Sequence, residues 1–185
     1  LLQSSAASDV YKRQLLIIST SAGLWSYNIG DTIKFTSIDP YRIIVSGRIK
    51  HFLSAFGEHV ISEEVEKAME AATKLHNVAI REFTVAPNIN PIDMLPHHEW
   101  YIEFENFPED MSAFTKSLDN EMINQNIYYK DLIDGKILKS LEVISVERGG
   151  FNNYMKSVGR LGGQNKVPRL SNDRKIADKL KTINS

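Results

Sequence analysis

The sequence predicts an α+β fold in which a small antiparallel β segment is followed by a compact α/β-sandwich domain. Residues 15–48 contain short β-branched and aliphatic runs separated by turn residues, with no helical periodicity between them. Beyond residue 49 the pattern changes to strand, helix, strand, strand, helix, strand. That order is typical of an α+β domain, here of about 135 residues.

Composition excludes several classes of protein. Apolar residues make up 42% of the 185 residues and charged residues 24%, which is typical of a soluble globular protein. The net charge of -1 provides no general attraction to nucleic acid or to an anionic membrane. The chain has no cysteine, so disulfides and thiolate chemistry are excluded. No apolar run approaches the roughly 18 residues of a membrane span, and no secretory signal is visible. We therefore predict a cytoplasmic protein without nucleic-acid or membrane partners.

The first 48 residues are predicted to form two segments. Residues 1–14 are small, polar and aperiodic, and we interpret them as a non-native or disordered leader outside the fold. Strands are predicted at 15–19, 32–36 and 41–46, with a break at Gly30-Asp31 and a further turn at 38–40. A sheet of this size is too small to bury a core alone. Residues 15–48 are therefore predicted to be the end of a larger, upstream domain.

Two amphipathic helices stand out in the remaining sequence. Ser62 is the predicted N-cap of the first, which ends near Asn77, and the second begins near Glu109. Each has apolar residues at helical spacing, and these are Val65, Ala68, Met69, Ala72 and Leu75 in the first helix and Met111, Phe114, Leu118 and Met122 in the second.

Strands and shorter elements complete the predicted domain. Residues 100–105 alternate, which predicts a strand with one wet face, and Phe107 is assigned to the core. Further strands are predicted at 78–85 and 141–146, a short helix at 151–158 and a final helix at 172–183.

Three stretches carry candidate functional residues, each with a simpler alternative. Asp31 follows Gly30, and a carboxylate beside a glycine suits bidentate binding of two ribose hydroxyls, although an ordinary hairpin turn is the alternative. Arg48 suits ribose or phosphate oxygens and Lys50 suits a pivot between domains, although both fit a basic strand end.

The third stretch is the glycine-rich loop at residues 159–169. Lys166 and Arg169 in this loop fit a device that grasps a phosphate, although a plain surface loop is the alternative. His97, His98 and Glu99 are adjacent, but no further ligand at metal-like spacing is visible, so we predict no metal site. No nucleophile elbow or phosphate-loop motif is present, which leaves hydrolase and simple NTPase functions without support.

The order and spacing of these motifs resemble the adenylate-forming enzyme superfamily. Within it, the chain is similar to the auxin-responsive acyl-acid-amido synthetases, the jasmonate- and auxin-conjugating enzymes with their bacterial members. The resemblance covers residues 15–185 and is carried by residues 27–32, 41–60 and 164–169. It implies that the chain is the C-terminal part of a longer ligase.

The resemblance also implies a two-step reaction with ATP and Mg²⁺ as cofactors. A small carboxylic acid forms an acyl-adenylate and releases pyrophosphate, and the amine of an amino acid then displaces AMP to give an amide. By position, Tyr27, Asp31 and Arg48 would bind ATP or AMP, with Asp31 on the ribose hydroxyls. Lys50 would be the hinge of a C-terminal mobile lid domain. Lys166 would be catalytic, reaching the α-phosphate when the lid, residues 49–185, closes.

Departures from the family pattern leave alternatives open. Asn28 stands where plant members usually have arginine, and residues 52–60, with Gly57, fit the general superfamily pattern better than the plant one, which favours a bacterial member. The phosphate loop and the acid pocket are expected upstream, so this fragment alone is expected to be inactive. An acyl-CoA ligase of the same superfamily and a non-catalytic nucleotide-binding or interaction module are the alternatives.

Overall fold

The computed structural model describes residues 14–48, 52–160, 162 and 165–183. Residues 49–51, which include the proposed hinge Lys50, lie outside the described residues, as do residues 1–13 of the predicted leader. The chain divides into two compact units, Leu1–His51 and Phe52–Ser185.

The first unit is a three-stranded antiparallel sheet. Its strands are β1 (Gln14–Ile18), β2 (Tyr27–Ile38) and β3 (Tyr41–Arg48), in the order β1-β2-β3. The antiparallel sheet and the turn between β2 and β3 were predicted from the sequence and are confirmed.

The predicted break at Gly30-Asp31 is wrong, because β2 continues through both residues. Gly30 has a φ of 81°, and its N–H donates to Asn28 Oδ1 at 2.8 Å. The register with β1 shifts opposite this point, where Leu15 pairs with Thr32. Because glycine tolerates positive φ, the irregularity is absorbed within the strand as a bulge and no turn results.

Apolar side chains remain exposed on this first sheet. Ile33 is buried, whereas Ile44 and Val45 are 51% and 66% exposed. Successive side chains of a strand point to opposite faces. The sheet therefore carries uncovered apolar surface on both of its faces.

The second unit contains five strands and five helices among the described residues. The strands are β4 (Phe52–Leu53), β5 (Val60–Ile61), β6 (Ala79–Asn88), β7 (His97–Asn106) and β8 (Glu142–Val146). The helices are α1 (Ser62–Leu75), α2 (Met111–Gln125), α3 (Ile127–Asp134), α4 (Gly150–Ser157) and α5 (Lys175–Ile183). β4 and β5 form a short antiparallel pair, and a three-stranded sheet has the order β6-β7-β8, with β7 antiparallel to β6 and parallel to β8.

Two hydrophobic clusters cover the two faces of this sheet and make the unit a sandwich. Trp100 and Ile102 of β7 pack with α1, α2 and α3. Tyr101, which points the other way, packs with α4 and α5. The α+β class and the α/β-sandwich architecture predicted from the sequence are confirmed.

The predicted wet face of the 100–105 strand is wrong. Tyr101 is fully buried and Glu103 is 4% exposed, because β7 is the central strand and helices cover both faces. Phe107 was assigned to the core but is 62% exposed, since it lies just past the last residue of β7.

Helix boundaries shift slightly from the prediction. Ile61, not Ser62, occupies the N-cap of α1, and Glu64 Oε2 accepts from the N–H of Ile61 at 3.0 Å. Leu75 was placed on the buried face but is 71% exposed, whereas the other four predicted core residues of α1 are buried.

The later helices also differ in detail. Asp110 caps α2 by accepting from the N–H groups of Ser112 and Ala113. The final helix begins at Lys175 rather than at residue 172. None of the helices in the described part of the chain has the length and apolar character that crossing a membrane requires.

Candidate nucleotide-binding and lid sites

Asp31 and Arg48 occupy paired positions in the first unit. Asp31 lies in β2, Arg48 ends β3, and their Cα atoms are register partners. Tyr27 begins β2 and is 51% exposed. The fold therefore places the predicted carboxylate and arginine positions side by side. The side chain of Arg48 and all of Lys50 lie outside the described residues.

The loop that carries Lys166 is fixed to the edge of the second sheet. The N–H of Val85 donates to Arg169 O at 2.9 Å, and the N–H of Ser171 donates to Val85 O at 3.0 Å. Thr84 Oγ1 donates to Pro168 O at 2.7 Å. Val167 is buried beside these contacts, whereas Lys166 is exposed. The backbone is therefore held in place while the lysine side chain projects from it.

Arg169 differs from its predicted role as a second phosphate-grasping cation. Its guanidinium pairs with Glu82 and, at 3.3 Å, with Glu66. It also lies over the Phe83 ring, with 4.5 Å between the guanidinium carbon and the centroid. Arg169 is thus committed to holding the loop against β6 and α1, and sequence reasoning could not see these distant acidic partners.

A cavity of about 320 Å³ opens beside Lys166 in the second unit. Arg81, Arg160 and Lys166 supply cationic groups to its lining, and Glu82 and Glu103 supply carboxylates. Sequence reasoning missed this cavity, since its walls come from β6, β7, α4 and the Lys166 loop.

Glu103 is a buried member of this cavity lining. One carboxylate oxygen accepts from the N–H of Gly149 at 2.8 Å and the other from the N–H of Phe151 at 3.4 Å. Gly149 and Phe151 flank the start of α4, where the helix dipole favours an anion. The carboxylate is therefore kept in a buried position by backbone donors.

A second acidic residue, Glu99, is the centre of an ion-pair network. It accepts from Tyr101 Oη at 2.6 Å, from Arg174 Nη2 at 2.7 Å and from Lys181 Nζ at 3.1 Å. Burial alone would raise the pKa of Glu99, but these hydrogen bonds outweigh it and lower the pKa to about 2. Burial and the Glu99 carboxylate together raise the pKa of Tyr101 well above its ordinary value. The network fastens α5 to the sheet.

The same region holds three potential metal ligands, of which the sequence had pointed to His97 and Glu99 but not to Glu142. Parallel pairing of β7 and β8 places Glu142 beside Glu99, and ligand atoms of His97, Glu99 and Glu142 lie within 4.8 Å of one another. Lys139 pairs with Glu142, and two cations already bind Glu99. Because these cations compensate the carboxylates, the cluster serves as an ion-pair network rather than as a favourable cation site.

Glu58 and His98 form a buried pair that sequence reasoning also missed. Glu58 Oε1 lies 3.0 Å from His98 Nε2, and Glu58 Oε2 accepts from the N–H of Phe56 at 2.8 Å. The imidazole stacks on Phe56 and Tyr129, with centroid distances of 6.0 and 5.2 Å. Burial would raise the pKa of Glu58, but His98 and the backbone donors lower it. The pair ties the β4–β5 segment to the central strand.

The fold and these sites define a small two-sided α+β domain that presents one lysine from an anchored loop. Residues 63–175 match the family model described as the GH3 family C-terminal domain. The chain therefore belongs to the GH3 family, which confirms the resemblance to the acyl-acid-amido synthetases.

Solved structures with the same fold include two of one enzyme. They are described as GH3.15 acyl acid amido synthetase and as AtGH3.15 acyl acid amido synthetase in complex with 2,4-DB, with sequence identities of 21% and 20%. Both have a TM-score of 0.69, and each match covers 90% of this chain. The chain spans 32% of the length of those proteins. A search of curated proteins returned no match.

Proposed function

We propose that this chain is the C-terminal part of an ATP-dependent acyl-acid-amido synthetase. Such a ligase joins a small carboxylic acid to the amine of an amino acid, and it converts ATP to AMP and pyrophosphate. The observation that carries the proposal is the match of residues 63–175 to the GH3 C-terminal domain. The exposed Lys166 on a loop fixed to β6 supports it.

We assign Lys166 the catalytic role in the adenylation step. A phosphoryl group develops charge on its oxygens during transfer, and a mobile ammonium group stabilises that charge. The loop backbone is bonded to β6, so the lid would deliver this lysine as one rigid piece. Mg²⁺ bound with ATP would neutralise further phosphate charge, and we assign no ligand for it in this chain.

We assign nucleotide binding to Tyr27, Asp31 and Arg48 in the first unit. The backbone pairing of Asp31 with Arg48 supports this assignment, because a carboxylate for ribose hydroxyls and a guanidinium for ribose or phosphate oxygens start from adjacent positions. Lys50 is the proposed hinge between the units.

We propose the domain arrangement that the sequence predicted. Residues 15–48 would end a large adenylate-forming domain, residues 49–185 would form the mobile lid, and residues 1–14 would be a leader. The apolar surface on both faces of the first sheet supports this, because such surface is normally covered by further chain. We propose the cytoplasm, where ATP is available, as its compartment.

The acceptor separates this proposal from its nearest enzymatic alternative, an acyl-CoA ligase. The complete protein that contains this region should be incubated with a panel of carboxylic acids, ATP and Mg²⁺, together with either amino acids or coenzyme A. Mass spectrometry should then detect an acyl–amino acid amide and an equal amount of AMP. An acyl thioester in place of the amide would support the alternative ligase.

A non-catalytic nucleotide-binding module is the alternative from another class. It predicts ATP binding without acid-dependent pyrophosphate release under any of these conditions. The same incubations therefore distinguish all three functions.

A further inference from the structure

Arg169 follows Lys166 by three residues and connects the loop that carries both to two other elements. Its guanidinium pairs with Glu82 of β6 and, at 3.3 Å, with Glu66 of α1. It also donates to the carbonyl oxygen of Phe83 at 3.2 Å and covers the face of the Phe83 ring. We call Arg169, Glu66, Glu82 and Phe83 the Arg169 clamp, because one planar side chain holds the loop to a helix and a strand.

The clamp uses the properties that distinguish arginine from lysine. A guanidinium is planar, directs its N–H donors in a fixed fork and stacks on an aromatic ring, whereas an ammonium group is a single mobile point charge. Arg169 contacts two carboxylates, one carbonyl oxygen and one ring at the same time. A side chain with these contacts is fixed in one orientation.

The backbone between Arg169 and Lys166 is short and constrained. Val167 is 7% exposed, and Pro168 has its φ fixed by the ring and its carbonyl oxygen bound by Thr84 Oγ1 at 2.7 Å. Three residues of extended chain span at most roughly 11 Å. A displacement of Arg169 is therefore passed on to Lys166.

The two cations of this loop differ in how their charges are compensated. Lys166 is exposed and has no acidic partner in the part of the chain that the structure describes. The Arg169 side chain is 31% exposed and is bound by two carboxylates. The loop therefore presents one charge for a ligand and uses the other to fix its own position.

We propose that Arg169 is a positioning residue for Lys166 in the adenylation step, and that Glu66 and Glu82 hold it in place. This role rests on the proposed function, because Arg169 acts through Lys166 and touches no substrate. A catalytic group that is misplaced by about 1 Å can lose roughly 100-fold in rate. Loosening the clamp should therefore slow adenylation even though Lys166 itself is intact.

Direct contact of Arg169 with a phosphate is the competing role. That contact requires the guanidinium to leave Glu82, so Glu82→Gln would release Arg169 for the phosphate and would not slow the reaction. Positioning predicts the opposite, because Glu82→Gln removes part of what holds the loop. The same variant therefore separates the two roles.

The kinetic test compares the two half-reactions of the complete protein. Arg169→Gln should lower the kcat of pyrophosphate release by about 10- to 100-fold with the KM for ATP unchanged. Formation of the amide from added acyl-adenylate should keep its rate, because Lys166 is assigned to the first step only. Glu82→Gln should slow pyrophosphate release by a smaller factor, since Glu66 still holds the guanidinium, and this milder variant remains decisive if Arg169→Gln unfolds.

Arg174→Gln is the matched control. It also removes an arginine that is paired with a carboxylate, Glu99, in the same unit, but its partner lies outside the clamp. With folding of each variant checked by circular dichroism, Arg174→Gln should release pyrophosphate at the parent rate. A decrease equal to that of Arg169→Gln would reduce the clamp to an ordinary stabilising ion pair.

A second measurement needs no catalysis. Nitrogen-15 relaxation of the 185-residue chain should show ordered backbone amides at Lys166 and Val167 in the parent and in Arg174→Gln, and increased fast motion at both amides in Arg169→Gln. Unchanged relaxation in Arg169→Gln, equal slowing of both half-reactions, a raised KM for ATP with kcat unchanged, or full activity of Glu82→Gln would each overturn the proposal. Failure of the proposed function would appear separately, as a parent protein that releases no pyrophosphate with acid and ATP.

Discussion

Asp31 in β2 and Arg48 in β3 are directly paired across neighbouring antiparallel strands. Positions opposite one another in such a pair lie about 4.5–5.5 Å apart at their Cα atoms. Sixteen residues, at positions 32–47, lie between the two along the chain. The pairing is therefore produced by the hairpin of β2 and β3. The proposed nucleotide contacts therefore begin from one site on one sheet.

The first prediction concerns that site. In the complete protein, Asp31→Asn should raise the KM for ATP by about 10- to 100-fold, because a charge-assisted hydrogen bond contributes about 1.5–3 kcal/mol. Pyrophosphate release at varied ATP concentration measures it. Asp39→Asn, in the exposed turn of the same hairpin, is the matched control and should leave the KM unchanged. Equal effects of the two variants would remove Asp31 from nucleotide binding.

The second prediction concerns the buried pair of Glu58 and His98. Glu58→Ala should lower the free energy of unfolding by about 3–5 kcal/mol, because it removes the partner of a buried imidazole. Urea denaturation of the 185-residue chain measures the change. Glu63→Ala, which removes a pair with Lys67 whose side chains are 43% and 55% exposed, should cost about 1 kcal/mol or less. A similarly small loss for Glu58→Ala would show that the Glu58–His98 pair does not hold the β4–β5 segment against the central strand.

The third prediction concerns the pH dependence of stability at Glu99. Its pKa falls from an ordinary 4.5 to about 2 on folding, so the stabilisation is fully present above about pH 4.5 and is lost as the pH falls towards 2. Glu99→Gln should lower the free energy of unfolding by about 3 kcal/mol at pH 7. That difference should shrink steadily below pH 4.5 in urea denaturations at several pH values. A constant difference from pH 7 to pH 3 would contradict the assignment.

The fourth prediction contrasts Phe114, on the apolar face predicted for the second helix, with Phe107, which the sequence assigned to the core. Phe114→Ala should cost about 3–5 kcal/mol, because this residue of α2 is fully buried between the helix and the sheet. Phe107→Ala should change stability by about 0.5 kcal/mol or less, since that side chain is 62% exposed. Thermal unfolding of both variants checks the contrast. Comparable losses would mean that Phe107 is covered.

Local patterns predicted the helices well, because the signal is carried within each helix. Val65, Ala68, Met69 and Ala72 recur at helical spacing and are buried in α1. The prediction of a solvent-exposed face on β7 was wrong because two carboxylates on that face are buried. Glu99 is bound by Arg174, and Glu103 is bound by the N–H groups of Gly149 and Phe151. These partners lie more than 40 positions further along the chain, beyond the reach of any local pattern.

The candidate site was likewise predictable from the sequence only in part. The sequence singled out Asp31, Arg48 and Lys166 as candidate residues. The structure pairs the positions of Asp31 and Arg48 and leaves Lys166 exposed. The cavity and the pairing of Arg169 with Glu66 and Glu82 required the packed fold, because their residues come from separate elements. The break in the strand at Gly30 was wrongly predicted, because a glycine with positive φ occurs in a bulge within a strand as well as in a turn.

The most direct test of the proposed function is single-turnover pyrophosphate release by the complete protein carrying Lys166→Ala, with acid and ATP in excess over their binding constants. The parent protein should release pyrophosphate only when both acid and ATP are present. The variant should fold normally and release it about 10²–10³-fold more slowly, the loss typical of removing one transition-state charge stabiliser. An unchanged rate in the variant, or release by the parent without acid, would contradict the assignment of Lys166 and of the ligase reaction.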